Sequence, residues 1–130
     1  MTLQEGIISI PSAHGVDETV ERVKALLTAK GVTLFALVDH SGEAEKAGLR
    51  MPNTKLLVFG NPAGGTPVML AAPSAALDLP LKLLVAEDGD GAVRISWNSA
   101  QYLRERHGFP AELMGNLAVI DGLAKKAAEA

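Results

Sequence analysis

Two apolar stripes at helical spacing bracket this chain and limit what can lie between them. Val16, Val20, Val23 and Leu27 recur at spacings of four, three and four, with Leu26 beside them, and Leu113, Leu117, Ile120 and Leu123 form a second stripe near the other end. Each stripe makes a helix apolar along one side, which must be buried against another layer. The chain between them holds short apolar runs bounded by Gly, Pro and Asp, which read as strands. Strands and helices do not alternate strictly, so an α+β fold is expected rather than a doubly wound parallel sheet.

The first strand is expected over Gly6–Ile10, ended by Pro11. Asp17 is the expected cap of the first helix, and Lys30-Gly31 its stop. Val32 to Val38 reads as a second strand, buried on both faces, followed by a short helix over Ser41–Gly48. Lys55–Phe59 is the third strand. The glycine-rich stretch Gly60 to Gly65 reads as a loop, with Thr66 capping a short helix that starts at Pro67 and runs through Ala72. Leu81–Ala86 and Val93–Trp97 flank an acidic, glycine-rich turn and read as a hairpin, with Val93, Ile95 and Trp97 on one side and Arg94 and Ser96 on the other. Ser99 is expected to cap a helix ending near His107-Gly108, and Pro110 to open the last helix.

A chain of 130 residues fits one domain, expected to span residues 1–130. Apolar residues make up 48% but aromatic residues only 4%, so the core is aliphatic and rings for stacking nucleic-acid bases are scarce. The net charge is −3, with no basic stripe to follow a phosphate backbone; nucleic acid is not an expected partner. The absence of cysteine removes disulfides, thiolate metal sites and thiol nucleophiles. Met1 to Ile10 carries no Lys or Arg and does not read as a secretory signal, and no apolar run approaches the roughly 20 residues of a membrane span. No membrane association is expected, and the cytoplasm is the expected location.

Thr19, Asp39-His40, Gly48, Phe59-Gly60-Asn61-Pro62, Gly65-Thr66, Leu79-Pro80, Tyr102-Leu103 and His107 occur in an order that resembles the bacterial and archaeal domain of unknown function 302 family. The resemblance implies an α+β fold with a curved, mainly antiparallel sheet, two main helices and short helical inserts, similar to the TATA-box-binding-protein-like arrangement. It implies a homodimer. It supplies no activity, no cofactor and no catalytic residues, and the fold analogy does not license DNA binding.

The residues themselves point to one polar corner. Asp39 and His40 follow the second strand and offer a carboxylate and an imidazole. Asn61, Gly64 and Gly65 follow the third strand; Asn61 supplies both donor and acceptor groups, and the glycines allow close approach to the backbone. His107 stands at a helix end, where a cation is favoured, so contact with an anion is expected before metal ligation, which needs neutral imidazole. The competing reading is that Asp39 caps the short helix and His40 holds a loop, with Asp39, His40 and Asn61 simply hydrogen-bonding the two loops together. Asp88-Gly89-Asp90-Gly91 lacks the register of a calcium loop and reads as the hairpin turn. Ser12, Ser41 and Ser99 lack the context of a nucleophile, and His14 is expected to be solvated. A non-enzymatic module binding a small molecule, an anion by preference, or a protein is therefore expected, with no metal and no cofactor. The alternative is a small enzyme or metal-binding protein built on His40 and His107.

Overall fold

The computed structural model describes residues 5–130. Five strands, β1 (Ile7–Pro11), β2 (Thr33–Asp39), β3 (Thr54–Gly60), β4 (Leu81–Glu87) and β5 (Val93–Asn98), form one sheet in the order β1-β5-β4-β3-β2, every pair antiparallel. The helices are α1 (Val16–Ala29), α2 (His40–Lys46), α3 (Pro62–Ala71), α4 (Ala100–His107) and α5 (Met114–Ala128), with short 3-10 turns at Pro73–Leu77 and Ala111–Leu113. The fold is α+β, as the sequence implies. β2 to β5 run as a meander, and β1 adds to its far side. α1 therefore carries the chain from one edge of the sheet to the other.

Alternation along the strands builds the core. Leu57, Phe59, Leu83, Val85, Val93, Ile95 and Trp97 share one face, all buried, and meet Val16, Val20, Val23 and Leu27 of α1 with Ile120, Leu123 and Ala124 of α5. Complete burial of such side chains stabilises by about 1.5–3 kcal/mol each. The Trp97 indole N–H donates to Asp121 Oδ1 at 2.8 Å, tying the sheet to α5. Thr19 is completely buried, and its hydroxyl pairs with that of Ser12 at 2.7 Å. A second cluster forms beyond the first. Val68, Ala72, Ala75, Ala100, Leu103, Phe109 and Leu117 join α3, α4 and the first half of α5.

Several expectations need correction. β2 is an edge strand and not buried on both faces: Phe35 is 54% and Leu37 40% exposed, with a register shift between Leu34 and Ala36. The cap of α1 is Gly15 rather than Asp17, whose carboxylate instead accepts from Lys55 Nζ at 2.7 Å and Asn53 Nδ2 at 3.2 Å. α3 starts five residues earlier than expected. Asn61 is a strong cap and Pro62 a good first helical residue, so the glycines become its first turn and Pro67 lies inside it. The last helix starts at Met114, since Ala111–Leu113 is a 3-10 turn, and its stripe divides. Leu117 joins the second cluster, with Leu113 packed against it, while Ile120 and Leu123 join the first. His14 is tied rather than simply solvated: Nε2 meets the Glu129 carbonyl and Nδ1 lies 3.4 Å from Glu18. A Cβ at Gly115 or Gly122 of α5 would meet no atom outside its own helix and chain neighbours within 4 Å, so neither glycine marks a close approach.

Candidate functional site

The antiparallel register separates the residues expected to share a corner. Asp39 stands opposite Lys55 at the start of β3, whereas Gly60, at its end, stands opposite Thr33. Asp39-His40 and Asn61 thus lie at opposite ends of the ladder. At the first end, Asp39 Oδ1 accepts from the Gly42 N–H at 2.9 Å and the Ser41 hydroxyl at 2.8 Å, capping α2. Those donors, the Gly42 N–H foremost, hold its carboxyl below the usual carboxylate range. A Cβ on Gly42 would come within 2.5 Å of Asp39 Oδ2, so the cap requires glycine. The Ser41 hydroxyl also accepts from the Thr54 N–H at 3.1 Å, pinning α2 to β3. His40 is exposed at the first position of α2.

His107 lies towards the other end of the sheet. Its side chain is 3% exposed, with Nε2 2.5 Å from Asp78 Oδ2 and Nδ1 2.8 Å from Ser74 Oγ. Serine, histidine and aspartate in line invite comparison with a nucleophilic triad. Arg106 also reaches Asp78 Oδ2 at 3.2 Å, and neither Ser74 nor His107 borders the large cavity described below. The cluster ties the end of α4 to the segment that enters β4. Among the described residues, no group of three or more His, Asp or Glu is arranged to hold a metal ion.

Asn61, Gly64 and Gly65 do border a cavity, of about 530 Å³. It lies at the seam between the two apolar clusters. Leu27, Phe59, Ile120 and Leu123 contribute from one cluster, and Leu117, Met69 and Leu79 from the other. Asn61 Oδ1 caps α3 by accepting from the Ala63 N–H at 3.0 Å, and the Gly64 and Gly65 N–H groups both donate to the Asn61 carbonyl. The glycines therefore do not offer a cradle of free amides, as a loop would. They act by bulk. A Cβ on Gly65 would meet Met69 Cε at 3.8 Å and Leu79 Cδ1 at 3.9 Å, both on the cavity wall. Asn116 Nδ2 donates to the Gly64 carbonyl at 3.1 Å, closing α3 onto α5 beside the cavity.

Other lining residues do not stand out in the sequence: Lys30 in the cap of α1, Phe35 on β2, and Asn116 and Val119 on α5. Asn116 is detectable in principle as an amide on an apolar helix, and Gly115 as a helical glycine with no neighbour to accommodate. Phe35 is hidden in a run that reads as core.

Comparison with known proteins sets this geometry in a family. The profile of Domain of unknown function DUF302 matches residues 8–129. The chain is 41% identical over 105 residues to fluoride-specific ion channel FluC 1 of Brucella suis biovar 1 (strain 1330), covering 81% of this chain and 41% of that one. It is equally identical to FluC 1 of Brucella abortus biovar 1 (strain 9-941), again covering 81% of this chain and 39% of the relative. The chain thus spans about two-fifths of the length of these curated relatives. A crystal structure of an uncharacterized conserved DUF302 protein from Bacillus stearothermophilus superposes with a TM-score of 0.79 at 19% identity, covering 96% of this chain and 97% of that one. With its fold shared by that structure and its sequence matched from β1 to the end of α5, the chain belongs to the family Domain of unknown function DUF302.

Proposed function

We propose that this chain is a single, non-enzymatic binding module that holds a small, largely apolar molecule in the cavity between α3, α5 and the sheet. The observation that carries the reading is the seam itself. Concave, mostly apolar pockets with a few polar groups are the usual sites for small molecules. Here two clusters meet around about 530 Å³, within the range of ligand pockets. The wall is mostly aliphatic, with a few polar groups that could orient a ligand, including an anionic one.

A homodimer is the quaternary reading, with β2 as the contact. β2 offers an unpaired edge whose residues Thr33 to Val38 carry no charge and no proline, two of the devices that guard an edge, with the register shift at Leu34 and Ala36 as its one irregularity. Antiparallel pairing of two β2 strands about a two-fold axis would continue the sheet. The cytoplasm is the proposed location, in keeping with the absence of cysteine.

The fluoride-channel relatives fit a modular reading. Among the described residues no helix is long and apolar enough to cross a membrane. The match takes in only about two-fifths of those relatives, and no ion conduction is proposed for this protein. Native mass spectrometry of the protein purified without added ligand tests both parts. A dimer mass carrying a retained small molecule is expected, lost on denaturation. A bare monomer that also fails to take up an apolar fluorescent probe would overturn the reading.

A further inference from the structure

We propose that the cavity takes a single-chain aliphatic carboxylate, with its head at Lys30 and its chain along the seam. This rests on the cavity being the ligand site. Lys30 is the sole charged residue of the lining, and no Asp or Glu joins it. Its ammonium is exposed and makes no ion pair with any described residue, as is also true of Lys82, Lys125 and Lys126, but Lys30 alone of these borders the cavity. Two further groups on the wall favour an acceptor-rich head. Asn61 uses its oxygen to cap α3, which leaves its Nδ2 donor, like the Thr66 hydroxyl, exposed at the cavity rim and free to donate to a ligand in place of water. The anionic head is assigned to these three bordering groups, an ammonium, an amide and a hydroxyl.

The rest of the wall determines the body. Leu27, Val32, Leu79, Ile120 and Leu123 are aliphatic and Met69 adapts its shape, while aromatic faces are limited to Phe35 and Phe59. Such a wall rewards methylene groups more than flat rings. Phe35 and Val119, 54% and 60% exposed, both border the cavity and give it an apolar mouth through which a chain can enter.

The test compares octanoate, decanoate, 1-decanol and decylammonium below their micelle concentrations, by displacement of an apolar fluorescent probe from the full chain. Decanoate is expected to bind tightest, each added methylene improving affinity by up to about fourfold, and decanol to bind about fivefold more weakly. Lys30→Met, at an exposed position, should remove the difference between decanoate and decanol. Val119→Glu, at the apolar mouth, should weaken both ligands but decanoate more than decanol, and an equal loss for the two would count against an anionic head. Equal binding of decanoate and decanol, tightest binding of decylammonium, or no effect of Lys30→Met overturns the carboxylate assignment and leaves the cavity reading standing. Binding of none of the four by either parent or variants overturns the cavity reading, and the carboxylate assignment with it.

Discussion

Asp39 and Asn61 each cap a helix with a side-chain oxygen, and they do so from opposite ends of one antiparallel ladder. Asp39 pairs with Lys55, and Asn61 lies six residues further along, about 20 Å at the usual strand rise. In a parallel sheet successive strand-to-helix junctions gather at one edge, where ligands usually bind. In an antiparallel pair they face away from each other. This register leaves Asn61 beside the cavity and takes Asp39 and His40 out of it.

Acid should loosen α2 and the α1–β3 tie before the core. Asp39 and Asp17 both have carboxyls held below the ordinary value of 3.8, Asp39 chiefly by the Gly42 N–H and Asp17 chiefly by its hydrogen bond from Lys55. A depressed folded value means stability that is present above the unfolded value and lost as pH falls through the folded one. The urea midpoint should therefore decline below pH about 4, and less steeply in Asp39→Asn and Asp17→Asn. Acid slopes identical to that of the parent would show that these contacts do not matter. Lys55 has the opposite sign: its raised value, due first to Asp17, gives stability lost only as pH rises above the ordinary 10.5.

Leu117→Ala should cost about 2–5 kcal/mol in denaturant unfolding. The residue is 2% exposed, within the cluster formed with Val68, Leu103 and Phe109. A midpoint unchanged from that of the parent would mean that this cluster contributes little to the fold.

Gly65→Ala should stabilise the protein and impair binding at once. Alanine inside a helix is favoured over glycine by up to about 1 kcal/mol, and the new methyl finds ordinary contact distances at Met69 and Leu79. That methyl also takes space from the cavity. A higher melting temperature with weaker uptake of an apolar probe is expected, and undiminished uptake would place the ligand elsewhere.

Leu37→Lys should shift the proposed dimer to monomer without unfolding the chain. The residue is 40% exposed on β2, and charge on an exposed edge strand opposes pairing with another edge. Light scattering at micromolar concentration measures this. A mass unaffected by the change would remove β2 from the contact.

Much of the fold is readable in single residues. Val16, Val20, Val23 and Leu27 are all buried, and Gly31, at φ +67°, follows the last turn as expected. Val93, Ile95 and Trp97 alternate inward as the hairpin pattern requires, and Asp88 Oδ1 accepts from the Asp90 and Ala92 N–H groups within the turn. Ser99 caps α4 by accepting from the Tyr102 N–H at 3.0 Å. β2 misleads because hydropathy cannot report whether a neighbouring strand exists, so an apolar edge and a central strand look alike. The start of α3 misleads because two competent start signals, Asn61-Pro62 and Thr66-Pro67, lie five residues apart. The cavity is hidden for a different reason. It is formed by residues from both ends of the chain that meet only when α5 lies across the sheet.

α5 also links two parts of the molecule that need not come apart together. Its first half is held by α3 and α4, its second by α1 and the strands. Cooperative units with separate packing open at different free energies. Amide protons of Val68 to Ala72 and of α4 are therefore expected to exchange through smaller openings than those of Leu57, Leu83 and Ile95. A molecule lodged in the seam would touch both units and slow exchange in the weaker one. Hydrogen exchange would then report occupancy whatever the chemical identity of the occupant.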